Sequence, residues 1–123
     1  MTANGPDFLA LQLHDTEAAA RFFETHLGLH RAPASPPGAV VFATSPIPFA
    51  VREPLPGADP TAATPGPGHG VALWLAVEDA DALHARLLEA DVRVLAPPAE
   101  SPFGRMFPFV GPEGYVLTAH TAA

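Results

Sequence analysis

The strongest constraint on this chain is that its second half repeats the order of elements found in its first. Phe8 to Leu13 alternates, with Leu9, Leu11 and Leu13 on one side and Phe8, Ala10 and Gln12 on the other, which is a strand pattern. Asp15 or Thr16 then caps a helix from about Glu17 to Leu27, striped by Phe22, Phe23 and Leu27 and ended by Gly28. A loop over 31–37 leads to a hairpin of Val40–Thr44 and Phe49–Glu53. Strand character returns at Val71–Val77, and Asp79 or Asp81 caps a second helix from about Ala80 to Ala90, striped by Leu83, Leu87 and Leu88. Val92–Leu95 reads as a strand, 96–102 as a loop, and a final hairpin closes the chain. Setting Asp15 against Asp79 lays Phe8–Leu13 over Ala72–Val77 and one helix over the other, as in a duplicated module.

The fold class that follows is α+β, built from two βαβββ modules at about 8–54 and 71–120 within a single domain covering 1–123. The stretch between them, about 55–70, is Pro-, Gly-, Ala- and Thr-rich without apolar period and reads as a linker. Its Gly66-Pro-Gly-His-Gly70 lacks the Lys and the strand–loop–helix setting of a phosphate loop.

The closing segment, Phe103 to His120, is the most aromatic of the chain. Phe107 and Phe109 share one face of its first strand, and Gly111-Pro-Glu-Gly114 supplies turn chemistry. Val116, Thr118 and His120 share one face of its second strand, opposite Tyr115, Leu117 and Ala119.

Composition removes several functions. The formal charge is −7 and every basic residue is Arg, scattered without a stripe, which argues against nucleic acid. There is no Cys for a disulfide, a thiolate nucleophile or a Cys-ligated metal. No run approaches the roughly 18 apolar residues of a membrane span, and no leader pattern precedes Asp7, so a cytoplasmic protein with no membrane partner is expected. No Ser-His-Asp arrangement or paired-carboxylate signature emerges.

Three features together resemble the vicinal oxygen chelate superfamily, which includes glyoxalases, extradiol dioxygenases and bleomycin-resistance proteins. They are the two modules, the helix end Thr25-His-Leu-Gly-Leu29, and the turn Gly111-Pro-Glu-Gly-Tyr115 before the last strand. Gly111 departs from the Asp usual there. The resemblance implies modules whose curled sheets form a cup, and a homodimer with ligand sites between subunits. Its metal-dependent members carry His, Gln or Glu at positions that fall here on Phe8, Ala72, Thr118 and, with the register open, Arg52 or Glu53. Side chains such as Phe and Ala cannot hold a divalent ion, so no metal and no cofactor is expected.

Within that frame Phe8 and Trp74 belong to the concave face, joined by Phe42, Phe49, Phe103, Phe107 and Phe109, a set suited to stacking a flat aromatic ligand. The same rings read equally well as core. Gln12 and Arg105 are polar groups able to orient a ligand, Arg105 alternatively pairing with Glu100 or Glu113, and Thr118 and His120 share the face of the last strand. His26 and His30 are separated by the helix-ending Gly28, His69 lies just before Ala72, and His14 and His84 read as solvated. The resulting expectation is a metal-independent protein that sequesters an aromatic antibiotic or natural product, polycyclic and cationic ones included, and so confers resistance. The alternative is a glyoxalase- or dioxygenase-type enzyme acting on a small metabolite.

Overall fold

The structure, a computed structural model, describes residues 2–121. The chain divides into two units, Met1–Asp59 and Pro60–Ala123, each with one helix laid on one mixed sheet.

The first unit contains β1 (Leu9–Gln12), α1 (Thr16–Leu27), β2 (Ala39–Phe42) and β3 (Phe49–Arg52). Its sheet order is β1-β3-β2, with β1 parallel to β3 and β2 antiparallel to it. Asp15, not Thr16, caps α1: its Oδ1 accepts the Ala18 N–H at 3.0 Å. Gly28 ends the helix at φ 67°, a left-handed turn that a Cβ would strain, and donates to the Glu24 carbonyl at 3.2 Å.

Register decides which face this helix covers. Leu9 lies opposite Phe49 and Leu11 opposite Val51, while Val40 and Phe42 oppose Val51 and Phe49 from the other side. These residues therefore share one face, and the Phe23 ring of α1 lands on it, 5.0 Å from the Phe49 ring and 6.0 Å from that of Phe42. Beyond β2, Arg31 forms a bridge to Phe42, so a short edge segment completes the module. Arg31 clamps that edge to α1 by doubly hydrogen-bonding Glu17 (3.0 and 2.9 Å) and Glu24 (both 3.1 Å).

The second unit contains β4 (Trp74–Ala76), α2 (Ala80–Glu89), β5 (Ala99–Ser101), β6 (Gly104–Val110) and β7 (Val116–Thr121). Its order is β4-β7-β6-β5, with β4 parallel to β7, the same connectivity as the first unit. Asp79, not Asp81, caps α2 by accepting the Ala82 N–H at 3.1 Å. Ala80, Leu83 and Leu87 of α2 are buried together with Phe107, Phe109, Leu117 and Ala119 of the sheet. Leu88, expected in the apolar stripe, is 53% exposed, and His84, expected to be solvated, is half-buried with its ring 5.3 Å from that of Phe107.

The strand expected at Val92–Leu95 shrinks to a single bridge between Val94 and Phe109, and pairing with β6 resumes at Ala99, inside the expected loop. Proline explains the gap. Pro97 and Pro98 have no N–H to give, and Pro108 across from them has none either. The turn between β6 and β7 is a short 3-10 turn, Pro112–Gly114, closed by the Gly111 N–H on the Tyr115 carbonyl at 2.7 Å. A Cβ on Gly111 would lie 2.8 Å from Leu117 Cδ1, so a larger residue there would require the Leu117 side chain to shift.

Candidate functional site

Each sheet has a helix-covered face and a helix-free face, and the expected site residues divide between them. In the first unit the helix-free face carries Ala10 and Gln12 of β1, Ala50 and Arg52 of β3, and Ala39 and Val41 of β2. Phe8 continues this face ahead of β1 and is 52% exposed. Gln12 Oε1 accepts the Leu55 N–H at 3.0 Å, so its amide holds the segment that follows β3.

Phe42 and Phe49 are a correction to the expected set. They lie on the helix-covered face, 0% and 6% exposed, stacked on each other at 5.9 Å beneath Phe23, and are core. Phe107 and Phe109 are corrected in the same way. Both are 0% exposed on the α2 side of the second sheet, their rings 5.8 Å apart. The hairpin register makes this unavoidable. With Val110 opposite Val116, Phe109 pairs with Leu117 and Phe107 with Ala119, on the side away from Thr118. Arg105 shares their side. Its guanidinium is bound to Asp81 of α2 (Nε–Oδ2 3.0 Å, Nη2–Oδ1 3.1 Å) and lies 3.6 Å from Glu100, so it faces α2 instead of orienting a ligand. The hydrogen bond from Arg105 holds the Asp81 carboxyl below the usual carboxylate range, as that from Arg31 does for Glu17.

What remains on the helix-free face of the second sheet is a compact aromatic corner. Trp74 of β4, Thr118 and His120 of β7, and Met106 and Pro108 of β6 share that face by register. The Trp74 and His120 rings meet edge-on at 5.4 Å. Phe103, at the tip of the β5–β6 hairpin, folds over the same face and puts its ring 5.6 Å from that of Trp74. The tip is fixed in three ways. Gly104 takes φ 100°; the Ser101 hydroxyl donates to the Gly104 carbonyl (2.6 Å) and accepts the Phe103 N–H (3.1 Å); and His120 Nδ1 lies 2.9 Å from the Phe103 carbonyl oxygen. A carbonyl oxygen only accepts, so His120 Nδ1 carries the proton. Phe103 itself is 64% exposed. Within the second unit Trp74, Phe103, Thr118 and His120 thus come together, while Arg105, Phe107 and Phe109 lie across the sheet from them.

The register also identifies a residue that sequence reasoning missed. With the two caps, Asp15 and Asp79, aligned, Ala10 is the counterpart of Trp74. Ala10 pairs with Ala50 and Trp74 with Thr118, so the counterpart of Thr118 in the first module is Ala50, and neither Arg52 nor Glu53. The positions implied to hold a divalent ion in metal-dependent relatives are therefore Phe8, Ala50, Ala72 and Thr118. Three have no donor atom and the fourth offers a neutral hydroxyl, a set that does not fit such an ion. Among the described residues no three His, Asp or Glu converge as a metal site elsewhere.

A helix on each of two mixed sheets with the same connectivity defines an α+β protein of duplicated βαβββ construction. The chain matches the Glyoxalase/Bleomycin resistance protein/Dioxygenase superfamily over residues 5–118 and belongs to that family. Among solved structures it is similar to TnmS3, an antibiotic binding protein from Streptomyces sp. CB03234, at 24% identity and TM-score 0.75, covering 100% of this chain and 99% of that one. It is similar to a glyoxalase/bleomycin resistance protein from the same Streptomyces strain at 25% identity and TM-score 0.72, covering 95% and 100% of the two chains. A glyoxalase-related enzyme from Fulvimarina pelagi matches at 19% identity and TM-score 0.74, covering 95% and 87%. No curated protein matches the chain. No described helix is long and apolar enough to cross a membrane.

Proposed function

We propose that this protein is a metal-independent small-molecule-binding protein that sequesters an aromatic antibiotic or natural product, acting as a cytoplasmic homodimer and conferring resistance. The observation that carries the reading is the corner of Trp74, Phe103 and His120 on the helix-free face of the second sheet. Offset or edge-on contact with such rings favours flat aromatic ligands, and Phe103, 64% exposed at the hairpin tip beside Trp74, presents such a ring to solvent. The side chains at Phe8, Ala50, Ala72 and Thr118 support binding without a metal. The likeness to an antibiotic binding protein supports the choice of ligand class.

Trp74 is the sole Trp, so its fluorescence reports this corner alone. Titration with bleomycins, anthraquinone-type compounds and mitomycin-like quinones is expected to give saturable quenching by at least one class. Absence of saturation across all of them overturns the reading.

An enzymatic reading is favoured by one observation, the comparable TM-score of 0.74 to the glyoxalase-related enzyme from Fulvimarina pelagi. A stoichiometric divalent ion in protein purified without chelators would select it.

A further inference from the structure

We infer that the Trp74–Phe103–His120 corner selects aromatic ligands bearing a hydroxyl on the ring edge, the ligand O–H donating to His120 Nε2. The inference deepens the proposed binding function and rests on it.

The argument is one of tautomers. A neutral imidazole has one N–H and one lone pair on its two nitrogens. The 2.9 Å contact to the Phe103 carbonyl commits the N–H to Nδ1, because the carbonyl has no proton to give. Nε2 is then an acceptor only. Among the described residues it has no partner, although Trp74 packs against the same ring at 5.4 Å. The ring is half-buried and cannot turn over freely, since a flip would remove the bond that holds the hairpin tip. The site therefore presents a fixed acceptor at the edge of an aromatic platform. A ligand stacked there that offers a donor completes it, and one that offers only acceptors or a methyl group leaves the lone pair unpaired.

The same bond ties selectivity to the platform. His120 holds Phe103 by Nδ1 and would hold the ligand by Nε2, so the residue that closes the hairpin over the face also chooses the ligand's polar edge.

The experiment compares 2-naphthol with 2-methoxynaphthalene, which differ by the donor proton, by calorimetry on the wild-type protein and on His120→Asn. Asparagine places its amide near the Nδ1 position and so keeps a donor for Phe103 while removing the Nε2 acceptor. The expected result is a roughly 3- to 10-fold preference for the naphthol in the wild type. In His120→Asn that preference is expected to collapse to about unity. Ring 15N spectra of the wild-type protein serve as a check that needs no variant. They should show the Nδ1–H tautomer in the free protein and a shift of the unprotonated Nε2 resonance on adding 2-naphthol but not its ether.

Equal binding of the two compounds by the wild type, or a preference that survives His120→Asn, overturns the inference and leaves the proposed function standing. If neither compound binds while the antibiotic classes still quench Trp74, the inference alone fails. If nothing quenches, the proposed function fails with it.

Discussion

Replacing Phe107 by Ala separates the two faces of the second sheet more sharply than any other change. Phe107 is 0% exposed, with ring contacts to His84 at 5.3 Å and Phe109 at 5.8 Å. Truncating a buried Phe costs about 3–5 kcal/mol, the lost transfer free energy of the ring plus the cavity it leaves. A domain of this size has about 5–15 kcal/mol of stability in total, so the melting midpoint should fall by roughly 10–20 °C. Trp74→Ala, on the opposite face of the same sheet, removes edge contacts to Phe103 and His120 that are worth about 0.5–1.5 kcal/mol each. It should leave the chain folded while ligand binding is lost. The assay is thermal unfolding by circular dichroism for both variants, with calorimetric ligand titration well below each midpoint. A Phe107→Ala protein that melts within about 2 °C of wild type yet no longer binds ligand would refute the assignment of faces.

Acid should weaken the fold through two carboxylates. Glu17 and Asp81 lie below their ordinary values of 4.5 and 3.8 because Arg31 and Arg105 hydrogen-bond them. Depressed folded values mean that this stability is fully present above the ordinary values and is lost as pH falls through the folded ones. Midpoints followed downward from pH 4.5 should therefore decline, and Arg31→Gln should remove the Glu17 part of that decline. Asp15→Ala and Asp79→Ala should each lower stability by about 1 kcal/mol in urea titrations, through loss of the caps on α1 and α2. Thr16→Ala should not, since Thr16 caps nothing.

Most of this architecture is legible in the residues themselves. Both helices, the Gly28 stop and six of the seven described strands follow from alternation, helical periodicity and cap chemistry acting within a few residues. The missed strand, Ala99–Ser101, has no apolar alternation, and its pairing is supplied by its hairpin partner β6. The site is less legible because aromatic residues announce burial but not the side on which they are buried. Alternation places Phe107 and Phe109 on a common face, yet only the pairing across the Gly111–Tyr115 turn shows that this face is that of Leu117 and Ala119. That signal was available, since a short turn fixes the partner of every residue in its hairpin. The bond from His120 to the Phe103 carbonyl was not, because it depends on the hairpin tip bending over the sheet.

The duplication explains how the aromatic corner can occupy one module's helix-free face alone. On the helix-covered faces both units repeat one solution: one or two alanines and one or two large apolar residues on the helix over Phe and Leu or Val on the sheet, a surface that tolerates exchange of one hydrophobe for another. On the helix-free faces equivalent register positions have diverged completely: Ala10 against Trp74, Ala50 against Thr118, Arg52 against His120. In the first module the polar groups of that face are engaged locally, Gln12 with the Leu55 N–H and Arg52 Nε with the Glu53 carbonyl at 3.0 Å. In the second, Trp74 and His120 form rings against rings and leave Nε2 of His120 without a partner among the described residues. A backbone ladder constrains only which residues face each other, so the two modules keep one fold while a single one of them carries the aromatic corner.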